Sequence, residues 1–301
     1  YIFDHNWAHA FENAGGRYYP KLQSCVPFTP ATGRRFLIKK SYEKQAGEAL
    51  AAGLVTLAKK NNMSSAHITF CTYEEARKFS GQSFLLRKSL QFHWENNGFQ
   101  DFNDFLNSLT SRKRKAIKKE RHKAKSFWNS KGEILRLKGP NIEARHWDSF
   151  WDFYQDTGKR KWGYPYLTRE FFAIIHETMS DQILLVLAME NNKPMAGALN
   201  FLGEDTLFGR YWGTSKYYPC LHYELCYYQA IEYALENGLK RIEAGAQGEH
   251  KLSRGYLPSF VYSLHWFLDE NLERAVGDYL QKEREIVSKD RDIMLEESPF
   301  K

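Results

Sequence analysis

Between Ile183 and Trp212 three apolar stretches follow one another with almost nothing between them. Ile183 to Ala188 is one, Met195 to Leu202 the next, and Thr206 to Trp212 the third. The links are Asn191-Asn192-Lys193-Pro194 and Gly203-Glu204-Asp205. Links this short join neighbouring antiparallel strands, because a parallel crossover needs a dozen residues or more. This meander constrains what surrounds it. Glu133 to Leu137 reads as a strand after the Ser130-Lys131-Gly132 turn. Ile142 to Thr157 carries Trp147, Phe150, Trp151 and Tyr154 at helical spacing, with Gly158 as its stop. Thr168 caps a second helix bearing Phe171, Phe172, Ile175 and Met179. Beyond the meander come a loop from Gly213 to Leu221, a helix from His222 to Glu236 and a strand from Leu239 to Ala244. A strand from Phe260 to Phe267 and a helix from Asn271 to Ile286 close the chain.

Strand, two helices, a three-strand meander, helix, strand, loop and strand is the element order of the GNAT acyltransferase fold. The expected class is α/β (α+β) with mixed, mostly antiparallel sheets, opening where the fourth and fifth strands diverge. Ligands bind in such crevices at strand ends. The first half predicts strands over Tyr18 to Phe28, Arg35 to Ile38, Ala66 to Cys71 and Phe84 to Trp94. It predicts a helix over Tyr42 to Lys60 with Ala46, Leu50, Leu54 and Leu57 inward, and a short helix opened by Thr72. A helix starting at Phe102 should run on into a basic segment. This half resembles the back of a second GNAT-like domain whose opening elements precede Tyr1. No linker separates the halves, so the expected domains are 1–128 and 129–301.

With 43% hydrophobic and 16% aromatic residues the chain is a folded one. Its longest apolar run, Ile183 to Met189, is far short of the roughly 20 residues that span a bilayer. Cys25, Cys71, Cys220 and Cys226 form neither a C-x-x-C pair nor a zinc spacing, which predicts reduced thiols, a cytoplasmic protein and no metal site. The net charge of +7 is local: nine Lys/Arg against the single Glu120 lie between Arg112 and Lys125. The rest of the chain is close to neutral. Arg112, Lys113, Arg114, Lys115 and Lys119 are therefore the candidate anion-binding residues. No aromatic RNA-binding motif, zinc finger or helix-turn-helix accompanies them, which argues against sequence-specific DNA reading.

Amide formation by acyl transfer needs a base for the attacking amine and donors for the developing oxyanion. His222 and Glu224 stand at the start of the predicted central helix, and Glu249 stands in the polar stretch Ala244 to Pro258, AGAQGEHKLSRGYLP. These three are the candidate bases. Tyr211 or Tyr256 can return the proton to a leaving group. Gln247, Lys251, Arg254 and Arg210 are candidate substrate contacts, joined by His93 and Trp94 from the first half.

The segments FHWENNGF (92–99), FLNSLTSRKRKAIKKER (105–121), GRYWG (209–213), LHYELCYYQAIEYALENGL (221–239) and GAQGEHKLSRGYLP (245–258) together resemble the FemAB-like family of predicted N-acyltransferases. That family carries a peptidoglycan biosynthesis or recognition label. The resemblance implies tandem GNAT-like domains, a basic helix leading into the second, and a cell-wall precursor bearing the acceptor amine. As in Fem aminoacyltransferases, it implies aminoacyl-tRNA as donor. Acyl-CoA is the other possible co-substrate, although the loop Gly213 to Cys220 has one glycine and Pro219 offers no N–H to a pyrophosphate. A second reading keeps the fold without the chemistry: a binding module that recognises a peptidoglycan precursor or tRNA through the basic helix.

Overall fold

The computed structural model describes residues 4–42, 46–81, 83–126, 132–161, 164–245 and 248–301. The helices are α1 (His5–Asn13), α2 (Ala46–Lys60), α3 (Tyr73–Phe79), α4 (Phe102–Ser108), α5 (Ser111–Ser126), α6 (Ala144–Lys161) and α7 (Arg169–Met179). A composite α8 follows, made of Leu221–Tyr223, a π-helical turn Glu224–Tyr228 and Gln229–Glu236, and α9 is Glu270–Glu296. The strands are β1 (Leu22–Ser24), β2 (Ser65–Cys71), β3 (Leu85–Glu95), β4 (Gly132–Lys138), β5 (Ile183–Glu190), β6 (Lys193–Leu202), β7 (Thr206–Thr214), β8 (Arg241–Glu243) and β9 (Leu257–Phe267). The chain forms two compact units: residues 1–91 with 258–296, and residues 92–257 with 297–301.

In unit 2 the meander β5–β6–β7 is antiparallel, as its short links require, and β4 pairs antiparallel with β5. Asn191 and Asn192 take positive φ values of 51° and 63° at the β5–β6 turn, a region Asn tolerates better than most residues. β8 pairs parallel with β7 and antiparallel with the end of β3. One face of the sheet is covered by α6 and α7, whose Trp147, Phe150, Tyr154 and Phe172 pack on Leu185, Leu187, Leu199 and Tyr211. Gly213 lets α6 approach β7: a Cβ there would lie 2.4 Å from the carbonyl oxygen of Phe153. Helix α6 runs past Gly158, which does not stop it. A Cβ at Gly158 would lie 2.5 Å from Pro165, so the glycine serves a close approach instead.

Unit 1 departs further from expectation. The strand predicted over Tyr18 to Phe28 shrinks to Leu22–Ser24, bounded by Pro20 and Pro27, which cannot donate to a ladder. Arg35 to Ile38 is not a strand. Its N–H groups at Arg35 and Phe36 go to the Glu75 carboxylate at 2.8–3.1 Å, and the Arg35 Nε donates to the Thr69 carbonyl. Helix α2 buries Gly47, Ala51 and Ala58, while Leu50 and Leu57, expected inward, stay exposed. Small residues let it lie close to Phe79, and Leu54 alone of the predicted leucines packs on the core. Helix α3 opens with a capping box between Thr72 and Glu75.

The long helix expected from Phe102 is two helices. Leu109 bridges to Phe300, and Thr110 N–H donates to the Pro299 carbonyl at 2.9 Å. The C-terminal residues of unit 2 thus take the backbone groups that would have continued α4 into α5.

Candidate functional site

The parallel pairing of β7 with β8 ends at Phe208 opposite Glu243, but β7 continues to Thr214. A bulge at the same place sets Gly209 opposite Asn200 and Tyr211 opposite Leu199, leaving Arg210 as the extra residue. The strands therefore open beyond Phe208. The resulting crevice encloses about 110 Å³ and is lined by Arg210, Trp212, His222, Cys226, Tyr227 and Ala244 among others. Helix α8 widens into its π turn beside it, a distortion that recurs at functional sites. His222 sits in an aromatic frame, with ring centroids 5.2 Å from Trp212, 5.3 Å from Tyr227 and 6.0 Å from His250. The Tyr227 hydroxyl and His250 Nε2 are hydrogen-bonded at 3.0 Å. Burial raises the Tyr227 phenol above its usual range. Tyr211 is on the α6 and α7 face, its hydroxyl 3.1 Å from that of Tyr166. The Arg210 guanidinium lies 5.2 Å from the centre of the Tyr211 ring.

Several other expected site residues hold the crevice wall together. Lys251 is buried and its ammonium donates to the carbonyls of Ala244 at 2.5 Å and Gly245 at 3.1 Å, pinning the segment that follows β8. Burial pushes that ammonium down to about 8. Arg254 is buried too and pairs with both oxygens of Glu120 on α5, at 3.1 and 2.6 Å. Its guanidinium lies 3.5 Å from the Tyr223 ring centre. Glu224, a candidate base, is fully buried; Arg121 donates to its two oxygens at 2.9 and 3.1 Å, and Gln229 adds a third bond. It is outside the crevice lining and clamps α5 to α8. Tyr256 is buried and donates to the Tyr227 carbonyl. Gln247 lies outside the described residues. The backbone of Glu249 opens a short 3₁₀ turn, Glu249–Arg254, and its side chain lies outside the description.

Trp94 is core rather than contact: fully buried, it packs on Phe99 and Phe105. His93 is on the other side of β3, directly opposite Glu243 in the ladder. Both are buried, and His93 Nε2 lies 3.9 Å from Glu243 Oε1, just beyond hydrogen-bond reach. Burial, then the cations Arg241 and Lys251, push the imidazole down to about 3, so it is neutral at neutral pH. Glu243 is the functional candidate that sequence reasoning missed. The signal was there, a carboxylate inside a strand read as buried.

Helix α5 divides cleanly. Its inner side carries Ile117, Ala124 and the paired Glu120 and Arg121, the last also bonded to Glu232 at 2.7 Å. Its outer side exposes Arg112, Lys115, Lys118, Lys119, His122, Lys123 and Lys125. Among the described residues none of these is in an ion pair. Lys113 and Arg114 are half-buried on the flanks, and Arg114 reaches Asn107 and Ser111 at 3.5 Å.

With this geometry the comparisons become decisive. A family model described as FemAB-like, peptidoglycan biosynthesis/recognition, matches residues 1–301. The chain belongs to the FemAB-like family. No curated protein matches it in sequence. Among solved structures it is similar to FemX, at 13% identity over 84% of this chain and 85% of that one, with a TM-score of 0.52. It is similar to L-PGS from Bacillus licheniformis, at 9% identity over 73% of each chain, TM-score 0.54. A conserved protein of unknown function from Bacteroides thetaiotaomicron VPI-5482 gives 12% identity over 74% and 75%, TM-score 0.54. These likenesses show the fold, which is of the tandem GNAT-like kind. Among the described residues of this FemAB-like chain no helix is long and apolar enough to cross a membrane, and no three metal-binding side chains converge.

Proposed function

We propose that this FemAB-like protein is an N-acyltransferase that moves an aminoacyl group from tRNA to an amine on a cell-wall precursor. The observation that carries the reading is the opening between β7 and β8, which among the described residues leaves an edge of β7 with no strand opposite it beside a histidine. The family's peptidoglycan label supports the acceptor class. The exposed cationic side of α5, a helix whose inner side packs against the first turn of α8, supports a polyanionic donor over a compact thioester. The start of α8 agrees: Pro219 has no N–H, and Cys220 sits at φ 64°.

In this reaction the acceptor nitrogen attacks the ester carbonyl carbon. A C–N bond forms, the C–O bond to the ribose breaks, and the amine's proton ends on the ribose hydroxyl. His222 is the crevice-lining base that carries that proton. Main-chain N–H groups on the opened edge of β7 hold the oxyanion. The neutral His93 and the Glu243 carboxylate receive the incoming amine once its ammonium form has given one proton to solvent: one nitrogen can lie about 2.9 Å from both at the apex of their 3.9 Å separation. Lys251 and Arg254 position the wall without touching substrate.

The test supplies aminoacyl-tRNA labelled in its amino acid, or labelled acetyl-CoA, with an amine-bearing nucleotide-linked peptidoglycan precursor. Label in a base-stable amide from the tRNA donor supports the proposal. Label from acetyl-CoA alone replaces the donor, and binding of both partners without amide formation refutes the enzyme reading.

A further inference from the structure

Unit 1 contains a cavity of about 530 Å³, within the range of sites that hold drug-sized ligands. Gln23, Cys25, Val26, Phe28, Thr69 and Phe70 are among the residues that line it. Its existence follows from a defect in β2. The register against β9 slips between Thr69 and Cys71, and Phe70 takes φ 54° at the slip. Phe28, across the lining, takes φ 55°. Left-handed backbone is strained for a bulky aromatic residue, and such strain gathers at ligand sites.

The wall has a definite chemistry. Lys21 is its one permanently charged side chain among the described residues, and its ammonium is neutralised by the buried Asp4 carboxylate, which also accepts from Tyr18 at 2.7 Å. Burial raises the Cys25 thiol, keeping it uncharged. Val26, Pro27, Phe28, Pro30 and Phe70 supply apolar surface. The Gln23 amide nitrogen donates to Thr69 Oγ1 at 3.1 Å, while its oxygen Oε1 is buried with no partner. An unpaired buried acceptor is destabilising, and the loss is recovered when a donor reaches it.

We propose that this cavity is a ligand site for an uncharged molecule with an apolar, ring-sized body and one N–H or O–H donor, which bonds Gln23 Oε1. The site stands apart from the acyl-transfer reading and does not depend on it. It is tested on the full chain with three probes of one shape: phenylacetamide, methyl phenylacetate and phenylacetate. The readout is the rate of iodoacetamide labelling at Cys25, resolved by peptide mass spectrometry against Cys220 as internal reference. Phenylacetamide should slow labelling at Cys25 and not at Cys220, and bind about 3–10-fold tighter than the ester, as one net hydrogen bond predicts. Phenylacetate should protect least. Gln23→Leu should erase the preference for the amide, and Val26→Trp, at an exposed rim position, should abolish protection. Equal protection of Cys25 and Cys220, or protection by phenylacetate matching that by the amide, would overturn the proposal. If either variant fails to fold, the amide-over-ester preference of the wild type decides alone.

Discussion

Each unit opens its sheet with a bulge, at Arg210 on β7 in unit 2 and at Phe70 on β2 in unit 1, yet the two openings have different characters. The first is small, about 110 Å³, and framed by Arg210, His222 and the hydrogen-bonded Tyr227 and His250. The second is about 530 Å³, mostly apolar and charge-neutral. A bulge makes room; the side chains around it decide what the room can do. Titratable groups at a strand end suit proton transfer, whereas a neutral apolar hollow suits binding.

The sharpest way to break this contrast is to remove the histidine. His222→Ala should lower transfer by about 10²–10⁴-fold, measured as label entering the amide, with secondary structure intact by circular dichroism. Full activity would take general-base catalysis away from the crevice. Next in size is the wall. Arg254→Met strands the Glu120 carboxylate and should cost about 3 kcal/mol in urea unfolding, the cost of breaking a mostly buried ion pair. A loss under about 0.5 kcal/mol would show that the wall does not rest on this pair.

Charge reversal on the outer side of α5 should act on binding instead. Lys115→Glu with Lys119→Glu should weaken tRNA binding about 10–100-fold and lower the salt slope by about 2, while acceptor binding holds. A further effect is one of pH. The folded-state value of Lys251, about 8, lies below the unfolded value of 10.5, so folding favours the neutral amine. That contribution is complete above the unfolded value and is lost as pH falls through the folded one. The melting temperature of the wild type relative to Lys251→Met should therefore rise between pH 8 and 10.5. A flat difference would mean that Lys251 keeps its charge in the fold.

What the residues foretold follows physical lines. The meander and helices α6 and α7 were legible because period-2 and period-3.6 patterns with local turns determine them. The splay was legible too, because it follows from strand order. The roll of α2 was not: Leu50 and Leu57 outnumber the small residues in hydrophobicity, but Gly47 and Ala51 allow the closer approach. Nor was the break at Leu109 and Thr110, which depends on residues about 190 positions away in sequence, Pro299 and Phe300. At the site, local reading singled out His222 and Arg210, which line the crevice, and His93, which stands opposite Glu243. It gave Glu224 and Arg254 to chemistry because their partners, Arg121 and Glu120, lie more than a hundred residues away and mark them as clamps only once the fold is known. Glu243 stayed hidden for the opposite reason, since a strand position implied packing.

The most direct measurement concerns the crevice itself. Ala244 lines it and is half-buried, so Ala244→Phe should fill the opening while leaving the β7–β8 pairs in place. With labelled aminoacyl-tRNA and the precursor, single-turnover transfer should be clear in the wild type and fall to background in the variant, with tRNA still bound through α5. Undiminished transfer by a folded Ala244→Phe protein would contradict the assignment of acyl transfer to this crevice.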